Sequence, residues 1–482
     1  MTSTEAMWQD TPTRLLIGGD WIDTAEHLQV INPASLTPLA TIGDASVTDG
    51  LQAVAAAHEA FPAWAATPTR QRAEILRRAF DIMTVEIEDC ARIIVLENGK
   101  AWSDALGEAT YSAEFFRWFA EEAVRVEGGF RPAPAGDKMI ITTHQPMGVA
   151  YMITPWNFPA AMATRKLAPA LAAGCTAVLK PAAETPLTAL WVADVLQRAG
   201  LPDGVVNVVT TSASGPVSAA ILADPRVATL SFTGSTYVGK ILLEQTAKRV
   251  LPSSMELGGN APFLVLEGAD VEQAVAGAMI AKMRNGGAAC TAANRFYVHE
   301  SLVASFTDSF TAALRGLKIG PGIDRGNHLG AMVSLAERDK IVALVDQATQ
   351  EGAVVHEVSN APDEGAFVAP HVVTDVRHGS VLTRNEVFGP VVPIVSVSSQ
   401  AEAINMANDT EYGLISYVYA ADKGAGISVA RQLQSGMVAV NRGLASDPAA
   451  PFGGMKESGL GREGGFAGIH EFLQTQYLAV EL

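Results

Sequence analysis

The sequence contains few cysteines and no cluster of basic residues. Its three cysteines, Cys90, Cys175 and Cys290, are odd in number and stand far apart. They provide neither a disulfide framework nor the ligand spacing of a metal site, so we expect no metal and a reducing compartment. The formal net charge is −17, and lysine and arginine form no run. A surface for nucleic acid or for an anionic membrane is therefore not expected.

Long hydrophobic runs and a secretion signal are missing as well. The uncharged stretch Gly148–Thr164 is interrupted by two prolines and an asparagine, and Met1–Asp10 has neither a basic nor an apolar segment. We therefore expect a cytoplasmic protein without a membrane-spanning helix. Hydrophobic residues make up 48% of the 482 residues and charged residues 18%, which is typical of a globular protein. This length exceeds what one core usually organises, so two large domains are expected.

Apolar runs that alternate with helical patterns indicate two doubly wound α/β regions. The first lies between Gly148 and Leu266, and the second extends from Val271 to about Val440. Such alternation predicts parallel sheets that bind ligands beyond the carboxyl ends of their strands. The predicted strands are Val149–Ile153, Ala177–Leu179, Val205–Val209, Thr229–Phe232 and Phe263–Leu266 in the first region, and Arg295–Val298, Val391–Val397, Ser416–Tyr419 and Met437–Val440 in the second.

Three segments outside these regions also carry a pattern. From Thr48 to about Val126 apolar residues recur at helical spacing. Gly128–Gln145 is rich in glycine and proline and predicts a β-hairpin, and Tyr477–Leu482 predicts a closing strand. A hairpin of this kind is commonly a subunit contact.

A single thiol stands out in the segment Met283–Asn294. Cys290 follows a pair of glycines and has only small side chains beside it, which would present a sulfur for attack. The alternative is a buried free cysteine among alanines. In Met255–Pro262 a lone carboxylate, Glu256, precedes a second glycine pair. An activated thiol and a separate carboxylate are the minimum set for covalent catalysis followed by hydrolysis.

Two glycine patterns suggest phosphate binding. Gly234–Lys240 matches the phosphate loop of nucleotide hydrolases, but Ile241 stands where a magnesium-binding hydroxyl is required. What remains is a Gly-Ser that enters a helix, which suits the pyrophosphate of a dinucleotide. Gly459–Gly464 is a formal G-x-G-x-x-G, but no apolar strand leads into it and too little chain follows. We therefore do not interpret it as a dinucleotide fingerprint.

Two polar residues follow predicted strands of the first region. Asn157, within Thr154–Pro159, has an amide that can donate to a developing oxyanion, although a turn-forming asparagine would also fit. Lys180, within Lys180–Pro186, supplies a cation where a nucleotide ribose or phosphate can lie. The alternative for this lysine is a solvated position at the end of a strand.

Seven segments together resemble the aldehyde dehydrogenase superfamily, from about Leu16 to the C-terminus. They are Thr154–Pro159, Lys180–Pro186, Phe232–Gly239, Glu256–Pro262, the Cys290 segment, Glu386–Pro390 and Pro451–Lys456. The resemblance implies two doubly wound α/β domains, one that binds the cofactor (1–127 and 146–257) and one that is catalytic (258–455). It also implies a small β oligomerisation arm (128–145 and 466–482) and a homodimer or homotetramer.

The resemblance also implies roles for individual residues. Cys290 would be the nucleophile, Glu256 the base, and Asn157 with the Cys290 main-chain amide the oxyanion hole, with Lys166 near the proton path. An aldehyde would form a thioester, which water then releases as an acid. Two departures are Ala288, where the most similar subfamily usually has glutamine, and Ala292, where it has a second cysteine. The implied cofactor contacts are Thr154, Pro155, Trp156, Lys180, Ala183, Glu184, Gly215, Gly234, Ser235, Glu386 and Phe388.

Three residues are candidates for binding the aldehyde substrate. Arg165 and Arg284 match positions where succinate-semialdehyde dehydrogenases hold the distal carboxylate, and Ser446 matches a further substrate contact there. Guanidinium groups fit carboxylates bidentately, so we expect succinate semialdehyde. The alternatives are glutarate or 2-oxoglutarate semialdehyde, and then a neutral or aromatic aldehyde. A non-catalytic nucleotide-binding or structural member of the superfamily is the alternative of a different class, and the intact Cys290, Glu256 and Asn157 argue against it.

The choice of cofactor depends on the loop after Lys180. Members that use NAD commonly carry a glutamate three residues later, where this chain has Ala183. Glu184 comes one residue further and on an extended backbone would point the other way. We therefore expect NADP in preference to NAD. If Glu184 instead turns into the ribose site, NAD would be preferred.

Overall fold

The computed structural model describes residues 11–482, so the first ten residues, to which part of the secretion-signal argument refers, lie outside it. The elements up to residue 265 are β1 (Leu15–Ile17), β2 (Asp20–Ile22), β3 (Glu26–Asn32), β4 (Thr37–Asp44), α1 (Val47–Ala66), α2 (Thr69–Val85), α3 (Ile87–Asn98), α4 (Trp102–Glu122), β5 (Gly129–Pro132), β6 (Lys138–Pro146), β7 (Val149–Ile153), α5 (Pro159–Ala173), β8 (Thr176–Lys180), α6 (Pro186–Arg198), β9 (Val206–Val208), α7 (Ser214–Ala223), β10 (Val227–Thr233), α8 (Thr236–Ala247), β11 (Ser253–Glu256) and β12 (Ala261–Val265).

The later elements begin with α9 (Val271–Ala278), a π-helical turn (Met279–Met283) and a 3₁₀ turn (Arg284–Gly287). They continue with β13 (Ala293–His299), α10 (Val303–Arg315), α11 (Leu335–Gln350), β14 (Val354–Glu357), β15 (His371–Thr374), α12 (Val381–Arg384), β16 (Val391–Val397), α13 (Gln400–Asn408), β17 (Tyr412–Gly413), β18 (Ile415–Tyr419), α14 (Lys423–Ala430), β19 (Met437–Val440), β20 (Met455–Lys456), β21 (Gly459–Leu460), α15 (Ala467–His470) and β22 (Leu473–Glu481).

Two large sheets organise the chain, as expected. The first has eight strands in the order β2-β1-β9-β8-β7-β10-β11-β21, and its central strands from β9 to β11 are parallel. The second has seven strands in the order β14-β15-β16-β13-β12-β18-β19, all parallel except β14. The predicted doubly wound α/β class is confirmed. Within residues 11–482, no helix is long and apolar enough to cross a membrane.

The prediction for Phe263–Leu266 was wrong in one respect. We expected this run to belong to the first sheet, but β12 pairs with β13 and β18 in the second sheet. The last parallel strand of the first sheet is β11, which was not predicted because Ser253–Glu256 has no apolar run. The chain crosses between the sheets at the glycine pair Gly258–Gly259, and an alternating pattern does not reveal where such a crossing occurs.

The predicted hairpin is formed by β5 and β6, and β22 pairs with β6 over nine residue pairs. These three strands make a separate sheet in the order β22-β6-β5. Most of β22 is exposed, and Phe130 on β5 is 73% exposed. This sheet therefore presents apolar side chains that this chain does not cover.

Helix α5 is buried along its whole length in the core of the first region. It begins with Pro159, whose fixed φ suits a first helical position, and it ends at Gly174, which has a φ of 100°. Glu108 on α4 accepts from the main-chain amide of Ala160 at 2.9 Å. A buried carboxylate thus caps this helix, which favours a fixed position for the side chains that α5 carries.

Candidate active site

The parallel register of the first sheet brings several candidate residues to one edge. Ile153 pairs with both Lys180 and Phe232, and Thr233 pairs with Glu256. The loops after β7, β8, β10 and β11 therefore meet beyond the carboxyl ends of these strands, where ligands bind in such sheets. A cavity of about 560 Å³ opens there between the two sheets. Its walls include Pro155, Trp156, Asn157, Gly234, Ser235, Cys290, Glu386 and Phe388, together with one face of α11.

The loop that carries Cys290 has a specific backbone conformation. Asn285, Gly286 and Gly287 have φ values of 56°, 59° and 80° in succession. A Cβ atom on Gly287 would lie 2.4 Å from the carbonyl oxygen of Gly389. Gly287 therefore allows two main-chain segments to approach each other closely, whereas open space adjoins Gly286. A Cβ atom on Gly259 would likewise lie 2.5 Å from the carbonyl oxygen of Cys290.

The thiol itself is held in its protonated form. Cys290 is half-buried at the cavity wall. Burial raises the pKa of Cys290 to about 12, and the nearby carboxylates of Glu386 and Glu256 act in the same direction. Arg165 and Arg284 oppose this shift. The thiolate is the nucleophilic form, so this site needs a group that removes the proton as the sulfur reacts.

Glu256 is a buried carboxylate at the end of β11 that raises the pKa of Cys290. It is 3% exposed, and neither carboxylate oxygen has a hydrogen-bond partner within residues 11–482. Burial raises the pKa of Glu256 well above its usual range, and Glu463 raises it further. Arg165 and Lys166 lower it. A carboxyl group with a raised pKa and free oxygens has the properties of a general acid or base.

A second carboxylate, Glu463, completes this cluster. The Lys166 ammonium donates to Glu463 Oε1 at 2.6 Å and to Ser231 Oγ at 2.9 Å. Arg165 Nη1 lies 3.5 Å from Glu463 Oε2. The sequence analysis did not select Glu463, because it lies in the Gly459–Gly464 pattern that was set aside. A charged residue inside a glycine-rich segment was the one signal available.

Asn157 is fixed through its main chain and reaches the cavity with its side chain. Its carbonyl oxygen accepts from Lys100 Nζ at 2.7 Å and from Asn285 Nδ2 at 2.9 Å. Its own Nδ2 donates to the carbonyl of Ala288 at 3.2 Å, and among the described residues Oδ1 has no partner. This contact uses the main chain of Ala288, so the missing glutamine side chain does not affect it.

Two aromatic rings and a carboxylate also line the cavity. The rings of Trp156 and Phe388 meet edge to face with their centroids 5.3 Å apart. Phe388 has a φ of 56°, an uncommon conformation for a bulky residue. Glu386 Oε1 accepts from the amide of Gly259 at 3.2 Å, and burial raises the pKa of Glu386 to about 8.

A second polar region lies at the carboxyl end of β8, outside the residues that line the cavity. Lys180 Nζ donates to Ser214 Oγ at 3.3 Å, and burial lowers the pKa of Lys180 to about 8. Ser235 caps the N-terminus of α8 by accepting from Val238 N. Open space adjoins the α-carbon of Gly215 at the start of α7. Two helix N-termini and a cation around open space fit the phosphates of a dinucleotide.

Three further candidates for cofactor binding lie near the ends of β7 and β8. Thr154 is buried, and its main-chain amide donates to the carbonyl of Lys180. Ala183 is partly exposed, and Glu184 is exposed.

Both candidate substrate arginines lower the pKa of Cys290, although neither is among the residues that line the cavity. Arg165 is 2% exposed, and its Nη2 donates to the hydroxyl of Tyr111 at 2.7 Å. Arg284 is half-buried, and its Nη2 donates to Thr291 Oγ1 at 3.3 Å. Ser446 is half-buried in the irregular segment between β19 and β20. The charges of both arginines thus act on the thiol. Among the described residues, Ser446 has no hydrogen bond that links it to either arginine.

Comparisons with known proteins extend over almost the whole chain. The model of the "Aldehyde dehydrogenase family" matches residues 21–478. The chain is 50% identical over 444 residues to the succinate-semialdehyde dehydrogenase of Paenarthrobacter nicotinovorans, covering 92% of this chain and 98% of that one. It is 43% identical over 468 residues to the glutarate-semialdehyde dehydrogenase of Pseudomonas putida, covering 97% of each. A crystal structure of an NADP-dependent enzyme from Escherichia coli shares 42% identity with a TM-score of 0.96 over 98% of both chains. This chain belongs to the aldehyde dehydrogenase family.

Proposed function

We propose that this aldehyde dehydrogenase oxidises succinate semialdehyde to succinate through a thioester on Cys290. The observation that carries the proposal is a pair of arginines whose charges act on the thiol, Arg284 and Arg165, of which Arg165 has a buried Nε without a partner within residues 11–482, in a protein with a formal net charge of −17. Two guanidinium groups near the reacting sulfur favour an aldehyde that bears its own carboxylate. The 50% identity to a succinate-semialdehyde dehydrogenase supports the same substrate.

The first step joins the sulfur of Cys290 to the aldehyde carbon. Because burial raises the pKa of Cys290 to about 12, the thiol proton must leave as the carbon–sulfur bond forms. Glu256 in its ionised form is the group that accepts it. The carbonyl oxygen becomes an oxyanion, to which Asn157 Nδ2 and the main-chain amide of Cys290 donate. A bound nicotinamide supplies the acceptor for the hydride that leaves this carbon.

The second step releases the acid. Glu256 removes a proton from water, whose oxygen attacks the thioester carbonyl, and the carbon–sulfur bond then breaks to give the carboxylate and the Cys290 sulfur. Because Glu256 takes up a proton in each step, it must release the first one to solvent before it acts on water and the second one before the next cycle. Glu463 and Lys166 act on the charge of Glu256 and are hydrogen-bonded to each other at 2.6 Å. We assign the proton path to these two residues.

The cavity has the groups that a dinucleotide requires. Gly234 and Ser235 lie at the N-terminus of α8, where free main-chain amides suit a pyrophosphate. Glu386 and Phe388 line the same cavity, where a nicotinamide ribose would lie. These residues, with Trp156, would hold the cofactor so that its nicotinamide faces Cys290.

We infer that NADP is preferred to NAD. A 2′-phosphate carries negative charge, and Lys180 is the buried cation at the end of β8. Ala183 offers no carboxylate that would repel the phosphate, and Glu184 is exposed. The similarity to an NADP-dependent enzyme from Escherichia coli, at 42% identity, supports this preference.

Glutarate semialdehyde is the second candidate substrate. The chain is 43% identical to a glutarate-semialdehyde dehydrogenase, and this aldehyde carries the same distal carboxylate with one more methylene. One methylene in a pocket is worth roughly 1–3 kcal/mol, or about 10- to 200-fold in specificity. The two candidates therefore differ enough to be separated by kinetics.

We further propose the assembly and location of the protein. The sheet β22-β6-β5 exposes apolar side chains and would form the oligomerisation arm (128–145 and 466–482) of a homodimer or homotetramer. Residues 1–127 and 146–257 would form the cofactor-binding domain and 258–455 the catalytic domain. All three cysteines are free, which favours the reducing cytoplasm.

An aldehyde panel tests the substrate and the cofactor together. Succinate semialdehyde, glutarate semialdehyde and butanal, a neutral four-carbon aldehyde, are each assayed with NADP and with NAD by the absorbance of the reduced nicotinamide. The expected result is the highest kcat/KM for succinate semialdehyde with NADP. A higher kcat/KM for butanal would refute the carboxylate-binding assignment. Absence of turnover with every aldehyde would favour the non-catalytic alternative.

A further inference from the structure

The guanidinium of Arg165 lies in a cage of three aromatic rings. Its central carbon is 4.1 Å from the ring centroid of Phe452, 5.2 Å from that of Phe115 and 5.7 Å from that of Tyr111. Tyr111 and Phe115 are four residues apart on α4, so they share one face of the helix, and their rings contact each other edge to face at 4.8 Å. Rings of this kind stabilise a buried guanidinium, but they do not fix which of its edges faces the site.

Tyr111 is the member of the cage that carries a hydroxyl. Arg165 Nη2 donates to this hydroxyl at 2.7 Å, and Nη1 lies 3.5 Å from Glu463 Oε2, beyond a good hydrogen bond. Within residues 11–482, Arg165 Nε and Glu463 Oε2 have no hydrogen-bond partner, although both are buried. A buried donor without an acceptor is costly, so the Nε edge of Arg165 is suited to an anionic oxygen that enters the site.

We propose that Tyr111 is a specificity-determining positioning residue, whose hydroxyl holds Arg165 so that its Nε edge remains available to the distal carboxylate of the substrate. Without this hydroxyl, Glu463 Oε2, which lies 3.5 Å from Arg165 Nη1 and has no hydrogen-bond partner within residues 11–482, remains as an acceptor for Arg165. The guanidinium would then turn toward Glu463, and its Nε edge would be less available to the carboxylate of the substrate. This proposal rests on the assignment of a carboxylate-bearing aldehyde.

The test compares Tyr111→Phe with the wild-type protein on succinate semialdehyde and on butanal. The substitution keeps the ring and removes only the hydroxyl. We expect KM for succinate semialdehyde to rise about three- to tenfold, because Arg165 loses a hydrogen bond to its charged group, while its kcat changes less than about twofold. KM for butanal should change less than about twofold. Inhibition of butanal oxidation by succinate should weaken by the same factor as the rise in KM.

A matched control is Tyr151→Phe. Tyr151 lies on β7, and its buried hydroxyl is hydrogen-bonded to Ser218 Oγ at 2.8 Å. This control should leave KM for both aldehydes unchanged. Thermal unfolding and cofactor binding report on folding, and Tyr111→Leu provides a second variant if Tyr111→Phe is unstable. A Tyr111 variant that folds and treats the two aldehydes as the wild-type protein does would overturn the proposal.

Arg165→Leu separates this proposal from the proposed function. If Arg165→Leu weakens succinate semialdehyde selectively and Tyr111→Phe does not, the substrate assignment stands and the role of Tyr111 is refuted. If Arg165→Leu affects both aldehydes equally, the carboxylate-binding role of Arg165 fails, and the role of Tyr111 fails with it.

Discussion

Replacing Arg284 with leucine should lower kcat/KM for succinate semialdehyde more than kcat/KM for butanal. Arg284 is half-buried, and its Nη2 donates to a neutral hydroxyl, that of Thr291, at 3.3 Å. This long contact leaves the charge available to a carboxylate in the cavity. A hydrogen bond to a charged group contributes roughly 1.5–3 kcal/mol, and each 1.4 kcal/mol is a factor of ten. The expected loss of kcat/KM for succinate semialdehyde is therefore about tenfold to a hundredfold.

The substitution also acts on the thiol, and this second effect must be separated from the first. Arg284 lowers the pKa of Cys290, so its removal raises that pKa and makes the thiol harder to deprotonate. The resulting loss of rate is the same for every aldehyde. The ratio of kcat/KM for succinate semialdehyde to that for butanal cancels this effect, and only the loss of carboxylate binding remains.

The assay therefore measures kcat/KM for both aldehydes in Arg284→Leu and in a control, Arg325→Leu. Arg325 pairs with Glu88 on the surface at 2.8 Å with both side chains more than half exposed, so its removal should leave the ratio unchanged. A fall of the ratio of tenfold or more in Arg284→Leu supports the reasoning. Equal losses for the two aldehydes would show that Arg284 acts only on the thiol or on the fold.

Four further outcomes can be measured on the same protein. Cys290→Ala should abolish aldehyde oxidation while cofactor binding, followed by fluorescence, persists; turnover near the wild-type rate would remove Cys290 from the mechanism. Glu256→Gln should abolish both the burst of reduced nicotinamide and steady turnover, because Glu256 accepts the thiol proton as well as a proton from water; a retained burst followed by slow turnover would confine Glu256 to thioester hydrolysis. The pKa of Lys180 is lowered to about 8, so its charge is lost as pH rises through that value, and KM for NADP should increase above pH 8 in the wild-type protein but not in Lys180→Arg. Ala183→Glu should shift the kcat/KM preference toward NAD and Glu184→Ala should change it little; the opposite pattern would mean that Glu184 occupies the ribose site.

The parts of the fold that the sequence predicts are those with strong local patterns. Strand β7 was predicted with its observed bounds, Val149–Ile153, because five apolar residues in a row suit a strand buried on both faces. Strands β14 and β15 and helices α13 and α14 were not predicted. Segments such as Val354–Glu357 and Lys423–Ala430 are short, so their apolar periodicity is weak.

The candidate site could be predicted where its residues follow a strand within a recognisable motif. Asn157, Lys180 and Glu256 each lie at or just beyond the end of a parallel strand, so a motif and a position indicated the same place. Glu463 and Tyr111 could not be predicted in this way. Glu463 contacts Lys166 across 297 residues of sequence, and Tyr111 contacts Arg165 across 54. Such contacts depend on how helices and loops pack, and no local pattern encodes them.

The helical segment near the N-terminus, to which the sequence analysis assigned no chemistry, positions the site through buried charges. Glu108 on α4 accepts from the first amides of α5, and it pairs with Lys100, whose ammonium donates to the carbonyl of Asn157. Glu97 on α3 accepts in the same way from the amide of Leu187 at the start of α6. A buried carboxylate at a helix N-terminus is stabilised by the unpaired amides there, so these helices fix both the direction of α5 and the main chain of Asn157. The packing of α3 and α4 is therefore part of what holds the side chain of Asn157 at the cavity, although neither helix supplies a residue that lines it.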